Sequence, residues 1–346
     1  MEQIQNVIKL NKTTHTKSIF IAIAPNHIST FESIIKNNLH KGKTTLLNPG
    51  NFKYDNSLWN EVINGNMNLQ YNVSSRLKKL VFQLNKLMGY KRFIYKTIKK
   101  INFDENINYY YCNLDDILSN HIYCLINKTK NRVNFAVEDG ILNYYYPKES
   151  KKQIQQKKLL SKLIGLKFTP FTNHPTNINS KSVKGQFVRL PSDTINPAKS
   201  LQLPFDSISY NPEPNSVLII GQDIMHNYHK GEEYYTKRLG KLFQIIQNDH
   251  SDKLIIYKPH RNGNTNTAEK LLCKYFEDYK LFQSITPVEE CIKGIRPKYI
   301  YSFESSAIIN LKIAMKDQVM FAILPFEKKV STILSLYTKL RIRILK

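Results

Sequence analysis

Short apolar runs of strand length recur along this chain, with helix-length segments between them. This alternation constrains the fold more than any other feature. The strand candidates are Ser18–Pro25, Thr44–Pro49, Tyr109–Asn113, Val133–Glu138, Ser216–Gln222, Leu254–Lys258, Lys298–Phe303 and Val319–Pro325. Several are continuous and rich in Ile and Val, the pattern of strands covered on both faces. Ser75–Met88, Tyr234–Asn248, Ala268–Tyr279 and Ala307–Lys316 carry helical spacing. Strands alternating with helices form βαβ units, so the spacing predicts an α/β protein with parallel sheets. At 346 residues the chain exceeds one ordinary core, since domains run to roughly 100–200 residues each. A break falls at Leu203–Asn215, LPFDSISYNPEPN, with three prolines and no period. We expect an N-terminal α/β domain over 1–205 and a C-terminal one over 206–346 that ends in a basic helix.

Hydrophobic residues make up 41% and charged residues 23%, enough apolar matter for packed cores. With 12 Gly and 14 Pro, collagen-like and linker-dominated architectures are excluded. No apolar run approaches the roughly 18–20 residues of a membrane span. The opening Met-Glu-Gln-Ile-Gln lacks the layout of a signal peptide. The expected location is therefore cytoplasmic. Cys112, Cys124, Cys273 and Cys291 show no CxxC spacing, which removes the usual zinc signatures and leaves reduced, buried thiols.

The charge is strongly unbalanced: 51 Lys and Arg against 27 Asp and Glu give +24. Such a surface attracts nucleic acid, acidic lipid headgroups and phosphorylated or carboxylated small molecules alike. A nucleic-acid-binding protein is one reading, but it calls for clustered arginines with interleaved aromatics or a groove-binding module. Here the cations are mostly lysines spread along the chain. From Ser150 to Ser192 there is no acid, and Ile154, Leu160, Leu163 and Ile164 gather on one helical side. From Lys328 to Lys346, Val330, Ile333, Leu334, Tyr337 and Leu340 recur at helical spacing among lysines and arginines. Either segment fits an anionic membrane surface, or a core-facing helix with a solvated lysine face.

Three constellations carry candidate chemistry. Glu138-Asp139-Gly140 follows directly on a strand candidate. The carboxyl end of a parallel strand faces the crevice where open α/β sheets bind ligands. Two adjacent, partly buried carboxylates raise one pKa, which suits general-base work. A simple turn is the alternative. Tyr257-Lys258-Pro259-His260-Arg261 closes another strand candidate and offers an imidazole among cations, suited to a departing phosphate. Ser305 and Ser306 precede an apolar helix, as anion-binding groups or as plain N-caps. His174-Pro175 lies in a polar stretch without a preceding strand and reads as loop. His226 and His229 have no helical metal-ligand partner such as HExxH, and no Walker A, GxGxxG or GxSxG pattern occurs.

Taken in order, the acid-acid-Gly motif, the Lys-Pro-His strand end and the Ser-Ser pair resemble the bacterial sialyltransferases. The nearest likeness is to glycosyltransferase family 52, with its lipooligosaccharide and capsule relatives, and to the bacterial polysialyltransferases. IFIAIAPNH (Ile19 to His27), EDGILNYY (Glu138 to Tyr145), VLIIGQ (Val217 to Gln222), TPVEECI (Thr286 to Ile292) and PKYIYSFESSAI (Pro297 to Ile308) are similar to that family's runs. One departure stands out: the family's His-Pro pair is here Pro259-His260-Arg261.

The resemblance implies a GT-B architecture, two Rossmann-like domains facing across a cleft, and no metal or other cofactor. It implies a CMP-sialic acid donor held by residues 206–346 and a glycan or glycolipid acceptor on the side of residues 1–205. Asp139 would be the general base, with Glu138 as a supporting carboxylate. His260 would serve the departing phosphate, with Ser305, Ser306 and Lys258 binding it. Gly221 and Gln222 would approach the donor, and Glu289 its ribose or base. No nucleic-acid partner is implied. The cationic surface would suit peripheral attachment to the inner face of the bacterial cytoplasmic membrane. A GT-B enzyme using another nucleotide sugar is the alternative.

Overall fold

The computed structural model describes residues 16–67, 69, 76–101, 106–147, 150–171, 173–223, 231–260, 263–284, 286–315, 317–326 and 331–346. The chain divides into two units, Met1–Phe205 and Asp206–Lys346.

In the first unit, β1 (Thr16–Ile21), β2 (Lys43–Asn48), β3 (Glu61–Asn64), β4 (Asn106–Tyr111), β5 (Arg132–Val137), β6 (Val183–Val188) and β7 (Ser200–Gln202) form one sheet. Its order is β3-β2-β1-β4-β5-β6-β7, and every pairing is parallel. Side chains alternate between faces, so neighbours in sequence enter different cores. Phe20, Tyr110, Phe135 and Phe187 make an aromatic ladder across β1, β4, β5 and β6, with centroids 4.3, 5.2 and 5.5 Å apart in turn. Trp59 meets Phe20 edge-on at 5.3 Å. Helix α1 (Pro25–Lys36) covers this face with Ile28, Phe31, Ile34 and Ile35. Ile19, Ile21, Tyr109 and Tyr111 face the other way, under α2 (Arg76–Ile98), α3 (Ile117–Ile126) and α4 (Lys151–Leu163). Helices on both faces explain why the central strands are apolar throughout.

The second unit repeats the plan. Strands β8 (Glu213–Ile220), β9 (Leu254–Lys258), β10 (Tyr279–Leu281), β11 (Pro297–Ser302), β12 (Met320–Ile323) and β13 (Arg343–Ile344) are ordered β10-β9-β8-β11-β12-β13. All pairings are parallel. The helices are α5 (Glu232–Asp249), α6 (Asn266–Tyr275), α7 (Val288–Ile295), α8 (Ser306–Met315) and α9 (Ser331–Lys339). In each sheet the winding reverses beside the first strand, at β1/β4 and at β8/β11. Ligands of open α/β sheets bind outside the carboxyl ends at such a reversal.

Each strand candidate overlaps a strand, and Leu254–Lys258 coincides with β9, but the other candidates differ at their ends. Pro25 starts α1 rather than finishing β1, because its fixed φ and missing N–H suit a first helical turn. The proposed Leu203–Asn215 linker gives up its last three residues to β8. Helix α2 runs on to Ile98, past the expected end at Met88. At the C-terminus, Lys328, Lys329 and Val330 lie outside the described residues. The expected basic helix stops at Lys339, after which β13 joins β12. Ile333, Leu336 and Tyr337 are buried, so this segment's apolar side belongs to the core. Of the cysteines only Cys112 is buried; Cys124 and Cys291 are half-buried and Cys273 is exposed. No helix among the described residues is long and apolar enough to cross a membrane.

Candidate active site

At the carboxyl edge of the first sheet, three side chains meet beside the β1/β4 reversal. His27 stands in the first turn of α1, buried. The Ile23 backbone N–H donates to its Nδ1 at 3.4 Å, which leaves the ring proton on Nε2. That atom lies 3.4 Å from Asp139 Oδ1. Asn113, just past β4, donates its amide to Asp139 Oδ2, and the Asp139 N–H donates to Asn143 Oδ1 at 3.0 Å. The Asp139 side chain stays 25% exposed, so a solute can reach it. Burial pushes the Asp139 carboxyl up, but the hydrogen bonds from His27 and from the Asn113 amide outweigh it. The group is held below the ordinary carboxylate range.

This corrects the expectation of two carboxylates raising one another's pKa. Successive residues of an extended chain point to opposite sides, and Glu138 turns away from Asp139. It is buried, accepts from Tyr144 Oη at 2.5 Å and from the Arg189 N–H at 2.6 Å, and pairs with the Arg189 guanidinium. Glu138 therefore braces the strand end. Gly140 adopts φ +56°, as a tight exit from β5 requires. His174 is likewise more than loop: fully buried, it meets the Leu142 and Tyr145 carbonyls through Nε2 and Thr176 Oγ1 through Nδ1. Burial lowers its pKa, so it holds the turn after Asp139 as a neutral ring.

In the second unit, the carboxyl ends of β8, β9 and β11 carry the remaining candidates. Asp223, fully buried, accepts from Tyr257 Oη at 2.6 Å, Tyr235 Oη at 3.0 Å and the His260 backbone N–H at 3.0 Å. Burial pushes its carboxyl up, and these three donors recover only part of that. The Gly221 N–H donates to the Lys258 carbonyl at 2.8 Å. A Cβ on Gly221 would lie 2.3 Å from Tyr257 Oη and 2.6 Å from Asp223 Oδ2. One on Gly263 would lie 2.4 Å from Asp223 Cβ. The turn that presents half-buried His260 is thus folded onto Asp223. Arg261, His226 and His229 lie outside the described residues.

Lys258 is buried, and its ammonium donates to the Ser284 carbonyl at 3.0 Å; this engages the cation expected to meet phosphate. Ser305 Oγ accepts the Ala307 N–H at 3.3 Å, an N-cap of α8, and Ser306 opens that helix. Gln222 follows Gly221 at the same strand end, half-buried. Glu289, in the first turn of α7, accepts from Asn310 on α8 at 3.0 Å. Among the described residues no group of three or more His, Cys, Asp and Glu is placed to hold a metal ion.

His27, Asn113, Arg189 and Asp223 were not among the sequence candidates. Each follows a strand closely, and Asn113 ends one of the strand candidates. Asking which strand ends share an edge would have found them; reading each motif alone does not.

The family model for alpha-2,8-polysialyltransferase (POLYST) matches residues 1–322. No curated protein matches the chain. Among solved structures, apo OtsA superposes with a TM-score of 0.51 at 8% identity, covering 96% of this chain and 88% of that one. The calicheamicin glycosyltransferase CalG4 gives 0.51 at 9% identity, with 96% and 85% covered. At such identities the likeness is one of fold, and the fold is GT-B, as the motifs implied. With a family model spanning nearly all of the sequence and two parallel-sheet units of the GT-B type, the chain belongs to the alpha-2,8-polysialyltransferase family and is a glycosyltransferase.

Proposed function

We propose that the protein transfers sialic acid from CMP-sialic acid to a hydroxyl of a cell-surface glycan, lipooligosaccharide or capsule, by a single inverting displacement without a metal. The observation that carries this is the Asp139 carboxylate, half-buried beside a sheet reversal and kept ionised by His27 and Asn113. Asp139 takes the acceptor proton as the acceptor oxygen attacks the anomeric carbon. The bond from that carbon to the CMP phosphate oxygen breaks, and the pair stays with phosphate. His260 donates to the departing phosphate, while Ser306 and the start of α8 receive its charge. Ser305, which caps α8, shapes that helix end, and Lys258 holds the backbone at Ser284. Gly221 and Gln222 flank the donor, and Glu289 meets its ribose or base. Glu138 supports Asp139 through the strand end that it braces.

Residues 1–205 serve the acceptor and residues 206–346 the donor. The charge of +24 suits both an anionic donor and peripheral attachment to the inner face of the cytoplasmic membrane. The test is a donor panel: CMP-sialic acid and several other nucleotide sugars, each with an oligosialic acceptor and excess chelator. Release of CMP with glycan extension, lost in Asp139→Asn, is the expected result. Turnover with a different nucleotide sugar, or rescue only by added divalent metal, overturns the proposal.

A further inference from the structure

Helix α2 is apolar on two sides. Leu87, Tyr90, Phe93 and Ile94 are buried in the first unit. On the outer side Val81, Leu84, Met88, Tyr95 and Ile98 are 50%, 49%, 49%, 66% and 41% exposed. Steps of three, four, seven and three residues keep these five on one stripe, which runs for about 25 Å at 1.5 Å per residue. Scattered exposed apolar residues are ordinary, whereas an aligned row of this size marks an interaction surface.

Lys91, Arg92, Lys96 and Lys99 share this helix end, and no acid occurs between Arg76 and Lys100. The Lys99 ammonium lies 4.2 Å from the centre of the Tyr95 ring. Helix α4 adds Leu159 and Leu163, 60% and 73% exposed, among Lys151, Lys152, Lys158 and Lys162. Both helices are tied to one turn: Tyr90 and Lys86 reach Asp116, and Lys157 pairs with Asp115.

We propose that the outer face of α2, extended by α4, is the surface on which the protein docks to an anionic lipid bilayer. Apolar side chains set among cations match the boundary between acyl chains and acidic headgroups. A second copy of the same cation-rich face would bring cation against cation, so self-association is disfavoured there. The proposal rests on the peripheral-membrane reading given above and moves its contact. The C-terminal segment keeps Ile333, Leu336 and Tyr337 in the core, while α2 exposes a row of apolar side chains.

Co-sedimentation of the full chain with phosphatidylcholine vesicles, with and without phosphatidylserine, tests it. The wild-type protein is expected to partition onto the anionic vesicles at low salt and to leave them at high salt. The combined variant Leu84→Ser, Met88→Ser, Tyr95→Ser is expected to lose at least about tenfold in partitioning. Its thermal midpoint and its turnover on a water-soluble acceptor should stay unchanged, because the three residues are exposed and are not among the groups that hold Asp139. Absence of wild-type binding overturns the membrane reading altogether. Wild-type binding with an equally bound variant overturns the α2 face alone. A wild-type dimer that the variant dissociates makes the face an interface between copies instead, and overturns the proposal.

Discussion

Gly221→Ala is the most demanding test of the second unit. The new Cβ would stand 2.3 Å from Tyr257 Oη and 2.6 Å from Asp223 Oδ2, well inside contact distance. Both neighbours are fully buried, so neither swings into solvent. Relief requires moving the Tyr257 phenol, which donates to Asp223 at 2.6 Å. Overpacking of this kind costs about 1–3 kcal/mol. Weakening a donor to a buried carboxylate costs about 1–3 kcal/mol more. The sum, roughly 2–6 kcal/mol, is a large share of the roughly 5–15 kcal/mol that holds a typical domain.

Scanning calorimetry should show the melting of residues 206–346 shifted to lower temperature. Calorimetric titration with CMP should show weaker binding, because the turn carrying His260 hangs on Asp223. Adding Tyr257→Phe removes the nearest clashing atom and should recover part of the loss, a coupling that additive effects would not give. A Gly221→Ala protein within about 0.5 kcal/mol of wild type, the range of an ordinary surface substitution, would refute the close packing described for this turn.

The other expectations are briefer. Asp139→Asn should lower turnover about 10²–10⁴-fold with CMP affinity kept; near-normal turnover sinks its role as base. Glu138→Gln should act on stability, at about 3–5 kcal/mol for breaking a buried pair. If it instead leaves the melting transition alone and abolishes turnover, Glu138 rather than Asp139 is the base. In His27→Phe, burial acts on the Asp139 carboxyl against Asn113 alone, so the acid limb of the pH–rate profile should move to higher pH. The depressed carboxyl stabilises the wild-type fold above its unfolded pKa and loses that contribution as the pH falls through its folded pKa; this acid-side loss should shrink in the variant. An unmoved limb refutes the contact. His260→Ala should lose turnover, and full wild-type activity should persist in excess chelator; restoration by magnesium after chelation would refute the metal-free route.

How much of this was legible depended on the range of the physics. Strands such as Ile19–Ile21 or Val217–Ile220 are apolar because helices cover both faces, and that signal is local. β3, Glu61–Asn64, is short and polar at both ends, and β6 has Lys184 and Gly185 in it, so both leave a weak trace in composition. Asp139 was found because it ends a recognisable strand. The direction of its pKa shift was missed because His27 lies 112 residues away in sequence, and no window sees across that gap. The two readings of the C-terminal segment also could not be separated by periodicity, since a core-facing stripe and a membrane-facing one have the same spacing. Only the burial of Ile333, Leu336 and Tyr337 decides between them.

The aromatic ladder of the first unit has an optical consequence. Trp59 is the only tryptophan in the sequence, and it is buried against the ladder's first ring. Emission excited beyond the tyrosine band therefore comes from residues 1–205 alone, and residues 206–346 are dark at that wavelength. Backbone dichroism sees both units at once. A denaturation followed by the two signals together would superimpose if the units melt as one and separate if they do not. A change in emission on adding CMP would report an effect of CMP on the surroundings of Trp59.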